Sequence, residues 1–346
     1  VAGGGHIIAL MSWSDWYKVE QLPWPADWAA LFGRAAPLVV EIGFGTGRFL
    51  IDLARRRPEV NVLGLEISIP AVRIAGRKVQ RGGLPNVVLM QASAPAALQA
   101  LCRPGSVAEV IINFPDPWPK KDQLGRRLID DGFLCLLATR MAPDAPLDIA
   151  TDVVSYAEQI AACLARSPHF ASRLDAPYAL DDPGRLPTKY ELAGLREGRP
   201  PRYFQWRRNG TPATDPFPIP QEYAMPHVVL RLPADPAEIG RRFRPTVIER
   251  EAARIRFIDA YQSLRNGKLL IETYINEEPI LQRLALEIRA RPAGEIVIAL
   301  AEVGFPRPTR GVHLAVGALV DWLREEFPSL VVVQSTLQEA HDDGAG

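Results

Sequence analysis

The chain has 346 residues, and its 40 Lys and Arg balance 40 Asp and Glu, so the whole-molecule field draws no polyanion. A hydrophobic fraction of 47% supports a buried core, and no apolar run approaches the length of a membrane span, which argues against a membrane-embedded protein. Three cysteines (Cys102, Cys135 and Cys163) lie far apart, with neither metal-ligand spacing nor an even number, pointing to a reducing cytoplasm and no metal site. The opening "VAGGGHIIALM" lacks a basic region and a cleavage site, so no secretory signal is expected there.

Strand-like and helix-like patterns alternate from residue 37 to about residue 175. "PLVVEIG" (37–43) is a short apolar strand halted by glycine, and "GRFLIDLARRRP" (47–58) sets Phe49, Leu50, Leu53 and Ala54 on one helical face. A strand "VNVLGLEI" (60–67), a helix "AVRIAGRKVQRGG" (71–83) and a strand "NVVLMQA" (86–92) follow. Next come a short helix at 96–102, a strand "AEVIINF" (108–114), a longer helix at 126–141, a strand at 146–152 and a helix at 154–168. Apolar strands without clean alternation, separated by amphipathic helices, predict a parallel sheet covered on both faces. Right-handed crossovers make it a doubly wound α/β layer.

"PRYFQWRR" (201–208) is followed by a stretch dense in Pro, Thr, Asn and Asp (209–223) that reads as a linker. Beyond it the pattern predicts a strand at 227–233, a helix near 245–265 and a strand at 268–275. A hairpin of 283–291 and 295–303, a helix at 312–327 and a strand at 330–337 complete a β-α-β-β-β-α-β order. The expected organisation is an α/β domain over 1–212, its core at about 37–208, then a linker and a smaller, roughly ferredoxin-like α+β domain over 213–346.

Doubly wound sheets bind ligands outside the carboxyl ends of their strands. That directs attention to 41–47, Glu66, 91–93, 113–121 and Asp152, which should share one rim. "EIGFGTG" puts Gly43, Gly45 and Gly47 after the first strand, where small residues let a ligand approach the backbone at a helix N-terminus. The dinucleotide fingerprint wants its third glycine one place later, where this chain has Arg48. Glu66, about 25 residues after Glu41, ends the second strand and can accept hydrogen bonds from both hydroxyls of a ribose. NAD and S-adenosylmethionine both carry that ribose. The G-x-G-x-G form preceded by an acid resembles class I S-adenosylmethionine-dependent methyltransferases, whose cofactor has a cationic end suited to Glu41.

"FPDPWPKK" (114–121) with "RR" (126–127), at the end of the fourth strand, resembles the bacterial tRNA (guanine-N7-)-methyltransferase family. "TD" (151–152) and "TKYE" (188–191) match two further family motifs in order, so the resemblance covers about residues 37–208. It implies a Rossmann-like methyltransferase that uses S-adenosylmethionine to methylate guanine N7 in tRNA, at position 46 of the variable loop. By the same resemblance Glu41, Gly43, Gly45, Gly47, Glu66, Ser93 and Asp116 line the cofactor pocket, with Asp116 also catalytic. Lys120, Asp152, Thr188, Lys189, Tyr190 and Glu191 contact the tRNA.

The chemistry leaves two roles open to Asp116: offsetting the charge of the product ring, or accepting hydrogen bonds from the edge of the base. Pro115 and Pro117 each fix their own φ and brace it. Trp118 either stacks on a base or supports the loop, and Lys120, Lys121, Arg126 and Arg127 are candidates for phosphates. "RYFQWRR" reads either as a basic, aromatic RNA contact or as an edge strand with a solvated basic face. Asp152 is alternatively a helix N-cap.

Two features depart from the family pattern. Ser93 stands where an aspartate usually binds near the adenine, so that contact is expected to be weaker or to come from the backbone of Ala92 or Ser93. "KKDQLGRR" replaces a more basic segment, a loss that Arg241, Arg242 and Arg244 or "FPRPTRG" (305–311) would have to compensate. A methyltransferase acting on a small molecule, and a catalytically weak RNA-binding or assembly protein, are the alternatives. Monomer and homodimer are both open.

Overall fold

The computed structural model describes residues 16–251 and 253–338. The reading of "VAGGGHIIALM" falls outside the described residues. The chain divides into two compact units, Val1–Ile219 and Pro220–Gly346.

The first unit follows a short helix, α1 (Trp28–Phe32), with an alternating series. The series is β1 (Leu38–Ile42), α2 (Arg48–Arg56), β2 (Asn61–Glu66), α3 (Ile69–Gly82), β3 (Val87–Gln91), α4 (Ala94–Leu101), β4 (Val107–Asn113), α5 (Asp131–Arg140), β5 (Pro146–Thr151) and α6 (Val154–Arg166). Three further elements close it: β6 (Phe170–Ser172), α7 (Lys189–Arg196) and β7 (Arg202–Arg208). The sheet order is β3-β2-β1-β4-β5-β7-β6. Strands β1 to β5 pair in parallel, whereas β7 runs antiparallel to both β5 and β6. This is the doubly wound sheet expected from the sequence. All five residues of β1 are buried, so its apolar side chains are covered on both faces. Each such side chain contributes about 1.5–3 kcal/mol by leaving water. The order reverses between β1 and β4, which makes their carboxyl ends the switch-point crevice.

Several local expectations shift. Helix α5 begins at Asp131, not near residue 126, because the Asp130 side chain accepts the Phe133 N–H at 2.7 Å and caps it. Strand β7 is interior, not an edge. Its Tyr203, Phe204, Trp206 and Arg208 are buried, and only Arg207 is exposed, so its aromatics serve the core. Asp152 caps no helix: the N-cap of α6 is Val153, whose own side chain makes no capping bond.

The second unit contains β8 (His227–Arg231), α8 (Pro236–Arg242), β9 (Thr246–Arg250), β10 (Ala253–Gln262), β11 (Leu269–Glu277) and β12 (Ile280–Arg291). Strand β13 (Glu295–Leu300), α9 (Arg310–Glu326) and β14 (Val331–Ser335) follow. The sheet is antiparallel throughout, in the order β14-β8-β13-β12-β11-β10-β9. The helix expected near 245–265 is instead the β9–β10 hairpin. Ala253, Ile255 and Phe257 are buried while Arg254 and Arg256 are exposed, a period of two. A register shift between Phe257 and Asp259 then breaks the alternation and hides it from sequence reading. The unit is α+β as expected, but with seven strands in one sheet it is not ferredoxin-like. Ile239 and Phe243 of the α8 segment and Val312, Leu319 and Leu323 of α9 share its core with Ile255, Ile271, Leu286 and Ile298.

The linker is pinned within the first unit up to residue 218. Arg140, fully buried, pairs with Asp215 at 2.7 Å and donates to the Phe217 carbonyl, and Gln99 Nε2 donates to the Pro218 carbonyl at 2.9 Å. Tyr223 belongs to the second unit, where its N–H bonds the Pro308 carbonyl at 2.9 Å.

Candidate active site

The crevice starts at the turn after β1. Gly43 and Gly45 have φ of 74° and 54°, a left-handed conformation that side chains resist. A Cβ at Gly43 would meet nothing within 4 Å, so the backbone there is open to a ligand. Gly47 meets a different constraint: a Cβ would lie 2.9 Å from that of Ala75, where α2 approaches α3.

Glu41 lies beneath this turn, 1% exposed. One carboxyl oxygen accepts the Asn113 amide N–H at 3.1 Å, across the β1–β4 switch point. The other is buried and has no hydrogen-bond partner. Burial pushes the Glu41 pKa up to about 8, against the lowering effect of the Asn113 hydrogen bond and the Arg185 charge. An orphaned buried oxygen is costly unless a ligand supplies a donor or a cation. Glu66, at the end of β2, is prepared differently. Its two oxygens accept the N–H groups of Gly45 and Ser68, each at 2.9 Å, and every oxygen keeps a second lone pair. An unsatisfied acid under the glycine turn and an aligned carboxylate one strand over fit a ligand with a cationic end and a vicinal diol. S-adenosylmethionine has both. Ser93 is exposed at the start of α4, and the Ala92 N–H is already given to the Glu66 carbonyl at 3.0 Å.

Asn113 ends β4, and the proline-rich loop leaves from it. Phe114 and Trp118 have φ of 50° and 38°, which costs a non-glycine residue about 1–3 kcal/mol each and has to be held in place. Two bonds hold it: Phe114 N–H to the Ala150 carbonyl at 2.8 Å, and Arg127 Nε to the Pro117 carbonyl at 2.7 Å. Asp116, at the apex, is exposed. Arg127 is therefore not the phosphate ligand expected from sequence. It is 6% exposed, bonded also to Gln159 at 2.8 Å and to Ser155, and laid over the Tyr156 ring. Arg126 sits 3.9 Å over the Trp118 ring, which supports the loop-bracing role of that tryptophan. Lys120 and Lys121 are exposed.

The "TKYE" motif forms the other wall. Thr188 and Glu191 make a capping box at the start of α7, each side chain bonding the other's backbone N–H. Glu191 is 7% exposed and also bonds Arg185 at 3.1 Å and the Tyr203 hydroxyl at 2.7 Å. Lys189 and Tyr190 are exposed, with Tyr190 3.9 Å from a Cβ position on Gly45. Thr188, Lys189 and Tyr190 thus border the same hollow as Glu41, Gly43 and Asn113. Asp152 stands beside α7, paired with Arg199 at 2.8 Å and packed against Gly194.

Sequence reading missed Arg185. It bonds the Asn113 side-chain oxygen and Glu191, and it lies over the rings of Phe49 and Tyr203. It thereby joins the β4 exit to α7, and its charge opposes the rise in the Glu41 pKa. Its position three residues before Thr188 carries no local pattern that would single it out. Among the described residues no cluster of His, Cys, Asp and Glu is arranged to hold a metal ion, and no helix is long and apolar enough to cross a membrane.

Known proteins bear on this geometry in two ways. A protein-family model described as "Putative methyltransferase" matches residues 35–202. The tRNA (guanine-N(7)-)-methyltransferase of Thermus thermophilus is 36% identical over 319 residues, spanning 90% of this chain and 96% of that protein. That of Deinococcus radiodurans is 32% identical over 315 residues, spanning 89% and 96%. The namesake from Syntrophotalea carbinolica is 37% identical over 204 residues, 59% of this chain and 88% of its own length. The first two alignments take in the second unit, and with identity of this size over nearly the whole of both proteins, the chain belongs to the tRNA (guanine-N7-)-methyltransferase family.

Proposed function

We propose that this chain transfers a methyl group from S-adenosylmethionine to N7 of a guanine in tRNA, position 46 of the variable loop, in a reducing cytoplasm. The observation that carries the reading is the junction at Asn113. Its side chain holds Glu41 in the cofactor crevice, and three residues later the braced loop presents Asp116 at the same strand exit. The free cysteines Cys102, Cys135 and Cys163 accord with the compartment.

The cofactor, when bound, supplies an electrophilic methyl group and leaves as a neutral thioether. Guanine N7 carries a free lone pair in the neutral base, so the chain needs no group to remove a proton from it. Glu41 and Glu66 fix the cofactor's cationic end and ribose, and the open backbone at Gly43 and Gly45 lets it lie close. Asp116 offsets the positive charge that builds on the guanine ring, or accepts hydrogen bonds from its N–H edge; both orient the base. The remaining acceleration comes from alignment, which the capping box of α7 and the Arg185 bridge make rigid. A guanine stacked in folded tRNA has to leave its stack to enter such a crevice. Tyr190, exposed beside Gly45, is placed to receive it. Lys120 and Lys189 reach the flanking phosphates, and Asp152 orients the α7 wall through Arg199.

Replacing the variable-loop guanine by adenine in an unmodified tRNA transcript tests the position. Methyl incorporation should vanish, and undiminished incorporation would move the target elsewhere in the tRNA.

A further inference from the structure

A second hollow adjoins the crevice on the outer side of the glycine turn. Arg48 and Arg55 of α2, Lys78 and Arg81 of α3, and Lys189 at the start of α7 line it. Thr46, Arg48 and Lys189 also border the hollow at Glu41 and Gly43, so the two are neighbours. The acid on its wall, Asp52, is paired with Arg56 at 2.8 Å. Lys78 Nζ donates to the Thr46 carbonyl at 2.8 Å, a bond that fixes the ammonium without neutralising it. The Arg55 guanidinium lies against Gly82, where a Cβ would come within 3.3 Å of its nitrogen.

Five cations converge on this one hollow. Among the described residues, no carboxylate forms an ion pair with Arg48, Arg55, Lys78, Arg81 or Lys189. Many other arginines pair with acids, among them Arg173 with Asp148, Arg199 with Asp152, Arg242 with Glu238 and Arg310 with Glu251. Arg241, Arg242 and Arg244 and the cations of "FPRPTRG" are the candidates to compensate for the altered basic segment, and among the described residues no carboxylate pairs with Arg241 or Arg244. Arg242, Arg307 and Arg310 are all paired within their own unit. In a chain of net charge zero, five like charges about one depression repel one another and attract a polyanion. Arg48 and Arg55 are two helical turns apart, about 10 Å along the axis, so the surface suits several phosphates better than one. Arginine forks bind phosphate oxygens in pairs, and lysines add point charge.

We propose that this α2–α3 depression holds the ribose-phosphate backbone of the tRNA next to the nucleotide being methylated. The proposal rests on the function given above. It puts the electrostatic grip beside the glycine turn, whereas the sequence placed it in the 120–127 segment, where Arg127 and Arg126 are occupied by the loop itself.

The test uses two double variants of the full chain, Arg55→Gln with Arg81→Gln, and Arg55→Glu with Arg81→Glu. Both arginines are exposed. Unmodified tRNA is titrated between about 50 and 200 mM salt, and S-adenosylmethionine affinity is measured alongside by calorimetry. The neutral pair should weaken tRNA binding roughly 5- to 20-fold and flatten the slope of log K against log salt by about 1–2. Charge reversal should weaken it further, with cofactor affinity within about twofold of wild type. Wild-type tRNA affinity and salt slope in both variants would overturn the proposal, as would an equal loss of cofactor affinity, which would assign these arginines to the fold. The two readings fail separately. Wild-type protein that forms no 7-methylguanosine defeats the function, whereas wild-type methylation with unaltered tRNA binding by the variants defeats only the subsite.

Discussion

Glu41 and Asp116 are carboxylates at the exits of neighbouring strands, and their surroundings set them to different tasks. Glu41 is buried with one oxygen unpartnered and its pKa is raised from 4.5 to about 8; Asp116 stands exposed on a braced loop. Because the folded pKa of Glu41 lies above its unfolded value, the folded chain keeps a proton that the unfolded chain has lost. Stability from this group is present below about pH 4.5 and declines as pH rises towards 8. Glu41→Gln, always neutral, should melt higher than wild type without cofactor, by a margin that widens across that window. Thermal unfolding from pH 5 to 8 measures it, and a margin independent of pH would contradict it. Asp116→Ala should fold normally and lose about 10²–10⁴-fold in single-turnover methyl transfer. Near wild-type turnover would remove its assigned role. Glu41, Glu66 and the three glycines were legible in sequence because their spacing follows the strand–turn–helix repeat. Arg185 was not, since its partner Asn113 lies 72 residues away and only the folded sheet brings them together.

The proline-rich loop and α7 are the elements that shape the site. The loop leaves β4 with two strained residues, and Arg127 ties it to α6 through Ser155 and Gln159. Arg127→Ala would leave the Pro117 carbonyl and the α6 acceptors without their donor. A loss of about 1–3 kcal/mol in denaturant unfolding is expected, along with reduced methyl transfer. Unchanged stability would show that the prolines alone hold the loop. Here the sequence indicated rigidity but misassigned one of its causes, because "RR" looks alike whether its side chains face phosphate or protein. The same limit appears in the second unit. Residues 246–262 carry charge in a helix-like rhythm, and the bulge after Phe257 interrupts the strand alternation that would have corrected it.

At the scale of the molecule, the zero net charge conceals a local basic surface, and the linker is partly a component of the first unit. Arg140 has no exposure and depends on Asp215 and the Phe217 carbonyl. A chain ending at residue 212 leaves that cation buried without its counter-charge and should be about 3–5 kcal/mol less stable than one ending at residue 219. Equal melting of the two truncations would show that Arg140 finds other partners. Sequence composition marked the Pro-rich stretch but not the residue that anchors it, since the pair spans 75 positions. The central claim is the identity of the reaction. Incubating the full chain with methyl-labelled S-adenosylmethionine and unmodified tRNA, then separating the nucleosides, tests it directly. Label should appear in 7-methylguanosine, at a rate that Asp116→Ala lowers about 10²–10⁴-fold; label absent, or carried by a different nucleoside, would contradict the assignment.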